Sequence, residues 1–146
     1  MFLSRSLVFL QFLFLSILFI PAYVIPLEYG WIVSFICISL SVKLLLWTSF
    51  HNKRGNFNIV PELKEGCKLI QTGPYHWIRH PMYTAVILIG FGVMFYVFAF
   101  FKIVFMGGLI VVLFAKAKRE ERLWCEKTFE YTRYQKQTKM FIPFII

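Results

Sequence analysis

Charged residues are scarce in this sequence, and aspartate is absent from it. Only 16% of the 146 residues are charged, whereas a soluble domain carries about 25%. Hydrophobic residues make up 59% of the chain and aromatic residues 20%, including 18 phenylalanines. So much apolar surface would aggregate in water, whereas a lipid bilayer tolerates it. The composition therefore excludes an ordinary soluble domain and predicts a membrane protein with room for one domain.

The sequence also lacks the spacings of metal and disulfide sites. Its cysteines, Cys37, Cys67 and Cys125, form no Cys-x-x-Cys pair, and its three histidines lack the His-Glu-x-x-His arrangement of a zinc helix. No metal site and no disulfide are predicted. The net charge is +9, but no nucleic-acid recognition motif accompanies it, so nucleic-acid binding is not predicted. The charge lies beside apolar segments, which indicates anionic lipid headgroups and control of membrane topology.

The first 50 residues contain two apolar runs. Residues Leu7–Ile20 are nearly all apolar, and the run continues to Ile25. A cleaved signal peptide is the alternative interpretation, since Arg5 precedes the run. No small-x-small cleavage site follows it, however, so a membrane-anchored helix is the preferred prediction. Trp31–Trp47 predicts a second membrane helix, with Lys43 near its inner end, where the side chain can reach the headgroups.

The longest apolar run, Tyr83–Ala115, is interrupted only by Lys102. As one straight helix of about 33 residues it would be roughly 50 Å long. A hydrocarbon core of about 30 Å would then require a tilt beyond the usual range of roughly 0–40°. The run therefore predicts a helical hairpin that folds back near Phe98–Lys102, with Gly107 and Gly108 as alternative turning points.

The distribution of Lys and Arg predicts the topology. Five of them lie in the segment His51–His80 and eight in the tail Lys116–Ile146, whereas the connection Pro21–Gly30 has none. Basic segments remain cytoplasmic, so an even number of helices must separate these two. The predicted fold is an all-α integral membrane protein with about four transmembrane helices, including a C-terminal hairpin, and with both termini cytoplasmic.

Two polar clusters lie where the predicted hairpin enters and leaves the membrane. The first runs from Gly73 to Tyr83 and reads GPYHWIRHPMY, and the second is the run REER at 119–122. Pro81 suits the first turn of a helix, so Arg79 and His80 fall at a helix entrance, where free N–H groups favour a bound carboxylate. Headgroup anchoring and an interfacial aromatic belt are alternative roles. A short hairpin brings both clusters to one membrane face, which favours a functional site.

These clusters resemble the isoprenylcysteine carboxyl methyltransferase and phospholipid methyltransferase superfamily. The resemblance covers roughly 55–143, and the upstream run Gly55-Asn56-Phe57-Asn58 favours the isoprenylcysteine branch. It implies a multi-helix membrane enzyme with two N-terminal helices in 1–50, followed by a C-terminal half, 51–146, that binds S-adenosylmethionine from the cytosol. It also implies a lipophilic substrate that enters from the bilayer. The residues that carry it are Gly73-x-Tyr75-x-x-x-Arg79-His80-Pro81-x-Tyr83, Glu120-Glu121, Tyr131-x-x-Tyr134 and Phe141-Ile142-Pro143.

Three departures from the family pattern bear on the site. Cys67 stands where the family often has His, which bears on one cofactor contact. Ala85 stands where the family often has Gly, but alanine is small, so close helix packing is still expected. The Phe-Gly pair that commonly precedes the Tyr-x-x-Tyr element is replaced by Lys127–Glu130.

The resemblance implies roles for individual residues. One of the paired glutamates is expected to hold the ammonium or ribose hydroxyls of S-adenosylmethionine, and His80 its carboxylate. Aromatic rings near the adenine or the sulfonium add cation–π contacts. The implied cofactor-binding residues are Leu69, Gly73, Tyr75, Arg79, His80, Pro81, Tyr83 and Glu121, and the implied catalytic residues are Glu120, Arg119 and Arg133.

The methyl acceptor is left open between two chemistries. A carboxylate, as on an isoprenylcysteine-like group, needs no general base, only a cation such as Arg79, Arg119 or Arg133 to orient it; of these Arg133 is preferred. A phospholipid amine would need a carboxylate base. Two other functions are weighed beside methyl transfer, namely an NADPH-dependent membrane reductase of the sterol-reductase type and a non-enzymatic membrane protein.

Overall fold

The computed structural model describes residues 2–21, 28–52 and 58–145. Within these ranges all regular structure is helical, apart from one isolated bridge between Ile78 and Lys139. The upstream run at 55–58, except for Asn58, lies outside the described residues, as does most of the predicted connection after the first helix. The helices are α1 (Phe2–Phe19), α2 (Gly30–His51), α3 (Pro81–Tyr96), α4 (Phe100–Lys127) and α5 (Phe129–Gln137), with a 3₁₀ turn at Gly73–His76.

Three of the described helices are long and apolar enough to cross a membrane. These are α1, α2 and α4, whose most apolar windows have mean hydropathies of 2.0, 1.9 and 2.1. Large apolar side chains such as Phe9, Phe35 and Val104 are exposed on them, as expected where lipid is the solvent. The chain is therefore an integral membrane protein. The apolar helix α3 has only 16 residues, so its full crossing stays a prediction.

The long apolar run forms two helices, as predicted. The chain leaves α3 at Val97 and enters α4 at Phe100, slightly before the expected turn at 98–102. Gly107 and Gly108 lie within α4 and make no turn. With 28 residues, α4 is about 42 Å long. Its apolar part is nearly as long as the hydrocarbon core is thick, which predicts that the charged C-terminal part extends beyond the membrane.

Small residues allow the helices to pack closely. The most extensive helix contacts join α2 to α3 and α1 to α4. Ser41 of α2 donates a hydrogen bond of 2.9 Å to the carbonyl of Ala85, whose side chain is completely buried. Gly92 of α3 lies against Ile38, where a Cβ atom would collide with that side chain. Small residues are what membrane helices use for close approach, so the packing expected at Ala85 is confirmed.

Candidate active site

The hairpin brings the two polar clusters together, as expected. Arg79, just before α3, donates from Nε to Glu121 Oε1 at 2.6 Å. The His80 Nε2 atom lies 3.4 Å from the same oxygen. Gln135 of α5 donates to the other oxygen, Oε2, at 3.2 Å. Glu121 is only 3% exposed, so this carboxylate joins α4, α5 and the start of α3 inside the protein.

The guanidinium of Arg79 is occupied by the protein itself. Besides Glu121, its Nη1 atom donates to the carbonyls of Thr138 at 2.5 Å and Gln135 at 3.3 Å. Those carbonyls belong to the end of α5, whose last C=O groups lack helical partners. Arg79 thus fixes α5 to the start of α3.

The segment after α5 runs beside the residues before α3. The Arg79 N–H donates to Lys139 O at 2.8 Å, and the Lys139 N–H donates to Trp77 O at 3.2 Å. His80 N–H donates to Met140 O, and Thr84 Oγ1 donates to Phe141 O at 2.9 Å. The family-like Phe141 therefore packs onto the start of α3, where its ring contacts His80.

Glu120 has a different environment from Glu121, because neighbouring residues on a helix point about 100° apart. Its side chain is 31% exposed, and its Oε2 accepts from the Tyr83 hydroxyl at 3.1 Å. The ring of Tyr83 stacks on His80 with centroids 5.3 Å apart and an interplanar angle of 8°. His80 Nδ1 lies 3.9 Å from Glu120 Oε2. Glu120 therefore keeps oxygen surface for a ligand.

These side chains form one wall of a cleft at the α3–α4 end of the helices. The cleft has a cavity volume of about 100 Å³ and opens to the surface at its mouth. Its wall combines carboxylate, amide, cationic and aromatic groups. The lining residues are Asn52, Asn58, Lys68, Leu69, Ile70, Tyr75, Arg79, His80, Pro81, Met82, Tyr83, Glu120, Trp124, Tyr131 and Tyr134.

Of the residues proposed from the sequence, seven line this cleft and four do not. Those that line it are Leu69, Tyr75, Arg79, His80, Pro81, Tyr83 and Glu120. Glu121 lies behind Arg79, while Arg133 is exposed on α5. Arg119 is half-buried, and its Nε atom has no hydrogen-bond partner in the described part of the chain.

Gly73 has a structural role at the 3₁₀ turn and does not line the cleft. Its φ of +62° lies in the left-handed region, and a Cβ atom there would collide with the His51 ring. Only glycine adopts this backbone without a steric penalty. Gly73 thus lets the 3₁₀ turn lie against the end of α2.

Several lining residues were not selected from the sequence. Trp124 is one turn after Glu120, so i, i+4 spacing on α4 could have indicated it. Tyr131 and Tyr134 carry part of the family resemblance but were given no role in the site, and they share the buried face of α5 at i, i+3 spacing. Asn58 belongs to the upstream run that favours the isoprenylcysteine branch, whereas Asn52 carries no such signal.

The cleft tyrosines are held as neutral hydrogen-bond donors. Burial, and then the Glu120 carboxylate, raises the pKa of Tyr75. Burial, and then the Glu121 and Glu120 carboxylates, raises the pKa of Tyr131, and burial raises the pKa of Tyr134. Tyr134 donates its hydroxyl hydrogen bond to the Tyr75 carbonyl at 2.5 Å, which joins α5 to the 3₁₀ turn.

Cys67 does not line the cleft. Its Sγ and carbonyl oxygen accept hydrogen bonds from Lys127 Nζ at 2.9 and 3.0 Å. The Lys127 ammonium also lies 5.3 Å from the ring centre of Trp124, which does line the cleft. The position where the family often has His therefore connects to the site through the end of α4.

Comparison with known proteins identifies the family of this chain. None of the curated proteins matches the chain. The model of the isoprenylcysteine carboxyl methyltransferase (ICMT) family matches residues 33–126, which is well over half of the sequence. The match includes all of α3, nearly all of α2 and α4, and most of the cleft. The chain therefore belongs to the isoprenylcysteine carboxyl methyltransferase family, a family of membrane methyltransferases.

Proposed function

We propose that this protein transfers a methyl group from S-adenosylmethionine to a lipophilic acceptor at the cytoplasmic membrane face. The preferred acceptor is the carboxylate of an isoprenylcysteine-like group. The observation that carries the proposal is the cleft itself, where Glu120 and the start of α3 face one space at the end of membrane helices. Family membership supports the same reaction class.

The polar and aromatic groups of the cleft fit the cofactor. Glu120 can accept from an ammonium or from ribose hydroxyls, since only one of its oxygens is hydrogen-bonded to Tyr83. The first N–H groups of α3, at Met82 and Tyr83, have no partner within the helix and favour a carboxylate. Trp124 offers an aromatic face, and Asn58 an amide, for the adenine. When bound, S-adenosylmethionine supplies a methyl group already activated on a sulfonium.

The protein's own contribution is then alignment and exclusion of water. Methyl transfer from a sulfonium to a carboxylate needs the two partners held in line rather than a general base. The segment 138–141 is hydrogen-bonded to the residues before α3, which holds Arg79 and His80 of the cleft wall in place. Neutral Tyr75 and Tyr131 add hydrogen-bond donors without adding charge.

Among the three arginines, we propose Arg119, which lies outside the cleft wall, for orienting the acceptor carboxylate. Arg79 is occupied by Glu121 and two carbonyls, and Arg133 is exposed. Arg119 retains a buried donor without a partner in the described ranges. Replacement of Arg119 by Lys should keep cofactor affinity while turnover falls, because an ammonium lacks the planar two-donor fork. Unchanged turnover in Arg119→Lys would contradict this assignment, and Arg133→Lys is its matched control.

The decisive experiment is calorimetry of the detergent-solubilised protein with S-adenosylmethionine and, separately, NADPH. Binding of the former alone is expected. Binding of NADPH instead would favour a membrane reductase, and binding of neither would favour a non-enzymatic protein. Methylation of an S-prenylated cysteine against phosphatidylethanolamine vesicles then distinguishes a carboxylate from an amine acceptor.

A cytoplasmic site requires both termini on the cytoplasmic side, as the distribution of basic residues indicates. Single cysteines in a background without native cysteines test this topology in intact cells. Exposed positions suit the labelling: Leu3 and Gln137 near the termini, and Tyr29 and Tyr96 at the opposite helix ends. A membrane-impermeant thiol reagent should label only the last two. Labelling of the cysteine at 3 or 137 would overturn the topology.

A further inference from the structure

Lys116 is a buried cation that the proposed reaction does not use. It lies one turn before Glu120 on α4 and is 1% exposed. None of the carboxylates in the described ranges forms an ion pair with it. A buried charge without an ionised partner is strongly unfavourable, so apolar packing alone does not account for a lysine at this position.

The ammonium of Lys116 has three contacts, each from a different part of the chain. It donates a hydrogen bond to the side-chain oxygen of Gln11 on α1. It donates a second to the carbonyl of Ile59, at 3.0 Å, next to the cleft residue Asn58. Its third contact is a cation–π interaction with Tyr83 of α3, 5.1 Å from the ring centre.

One of these three contacts, Tyr83, is part of the cleft wall, and Ile59 is next to the cleft residue Asn58. The Tyr83 ring also stacks on His80, and its hydroxyl donates to Glu120. The position of Tyr83 therefore determines how two potential cofactor contacts are placed. A cation–π interaction is strongest where water is excluded, as at this buried lysine. The buried ammonium of Lys116 thus orients the Tyr83 ring.

We propose that Lys116 is a positioning residue of the cleft, which acts through Tyr83 and the Ile59 segment and couples α1 to cofactor binding through Gln11. The proposal rests on the methyltransferase function proposed above. It implies that α1 is more than a membrane anchor, because Gln11 supplies one of the two hydrogen-bond acceptors of the ammonium.

The test compares Lys116→Met with a matched control on the same helix. Lys118 is exposed, and its ammonium lies 5.5 Å from the ring centre of Phe114, so Lys118→Met removes a cation–π contact away from the cleft. Lys116→Met should weaken S-adenosylmethionine binding about tenfold, and Lys116→Arg should restore most of that affinity because it keeps the cation. Wild-type affinity in Lys116→Met would overturn the proposal.

A second measurement is independent of the cofactor. Fluorine NMR of protein that contains 3-fluorotyrosine reports the Tyr83 ring, whose signal is assigned with Tyr83→Phe. Lys116→Met should shift or broaden this signal, and Lys118→Met should not. If Lys116→Met does not fold, Gln11→Leu removes one acceptor and should cause a smaller change in the same direction.

The outcomes separate the two proposals. A wild-type protein that does not bind S-adenosylmethionine refutes the proposed function, while the Tyr83 signal still decides the role of Lys116. An unchanged Tyr83 signal in both Lys116→Met and Gln11→Leu refutes the positioning role, whatever the cofactor affinity.

Discussion

The neighbouring glutamates of α4 should respond in opposite ways to the same substitution. Glu121 is buried with Arg79, at side-chain exposures of 4% and 10%, and does not line the cleft. Glu120 lines the cleft at 31% exposure. Replacement by Gln removes one charge and leaves the shape nearly unchanged. Glu121→Gln is therefore expected to reduce folding stability, and Glu120→Gln to reduce cofactor affinity.

The magnitudes follow from what each substitution leaves behind. Glu121→Gln leaves the Arg79 guanidinium buried without a counter-ion, and breaking a buried ion pair from one side costs about 3–5 kcal/mol. Glu120→Gln breaks no buried ion pair, because Glu120 is 31% exposed, so its effect on folding should stay within about 0.5 kcal/mol. It removes a charged hydrogen-bond acceptor from the ligand, which costs about 1.5–3 kcal/mol, or roughly ten- to a hundredfold in affinity.

Thermal unfolding, monitored by tryptophan fluorescence in the same detergent for all variants, measures the loss of folding stability. Calorimetry with S-adenosylmethionine measures the loss of affinity. Each variant is the control for the other, because the two residues are adjacent and the chemical change is identical. Equal loss of stability in both variants would refute the distinction between a structural and a ligand-facing carboxylate. Wild-type affinity in Glu120→Gln would show that the cofactor is not held by this residue.

Three further predictions concern residues that hold the segments around the cleft in place. Gly73→Ala should destabilise by more than Gly66→Ala in a denaturation assay, because both have positive φ but only the Cβ at position 73 would meet a side chain, that of His51. The strain alone costs roughly 1–2 kcal/mol. Tyr134→Phe should cost about 1 kcal/mol, since it removes the hydrogen bond to the Tyr75 carbonyl; an unchanged unfolding midpoint would contradict that bond. Burial raises the pKa of Tyr134 above its ordinary value of 10.0. The contribution of this neutral side chain to folding stability is therefore fully present below pH 10.0 and is lost as the pH rises further. Unfolding midpoints that stay constant from pH 9 to about 11 would argue against this raised pKa.

Composition and local pattern were enough to predict the helical membrane fold and its hairpin. The apolar run 83–115 is too long for one crossing, and that length argument holds whatever the run packs against. Pro81 marked the first residue of α3 correctly, because proline lacks the N–H that an interior position needs. Once the hairpin was predicted, the meeting of Arg79 and His80 with the α4 carboxylates followed from topology.

Only the tertiary structure decided which of these residues face a ligand. Glu120 and Glu121 are the same residue type one position apart, and the rotation between them determines that one faces the cleft and the other Arg79. The contact of Lys116 with Gln11 joins residues 105 positions apart, and neither carries a local signal. Periodicity reports the environment of a helix face, whereas a side chain's partner depends on where distant segments pack, so the roles of single residues were decided by the fold.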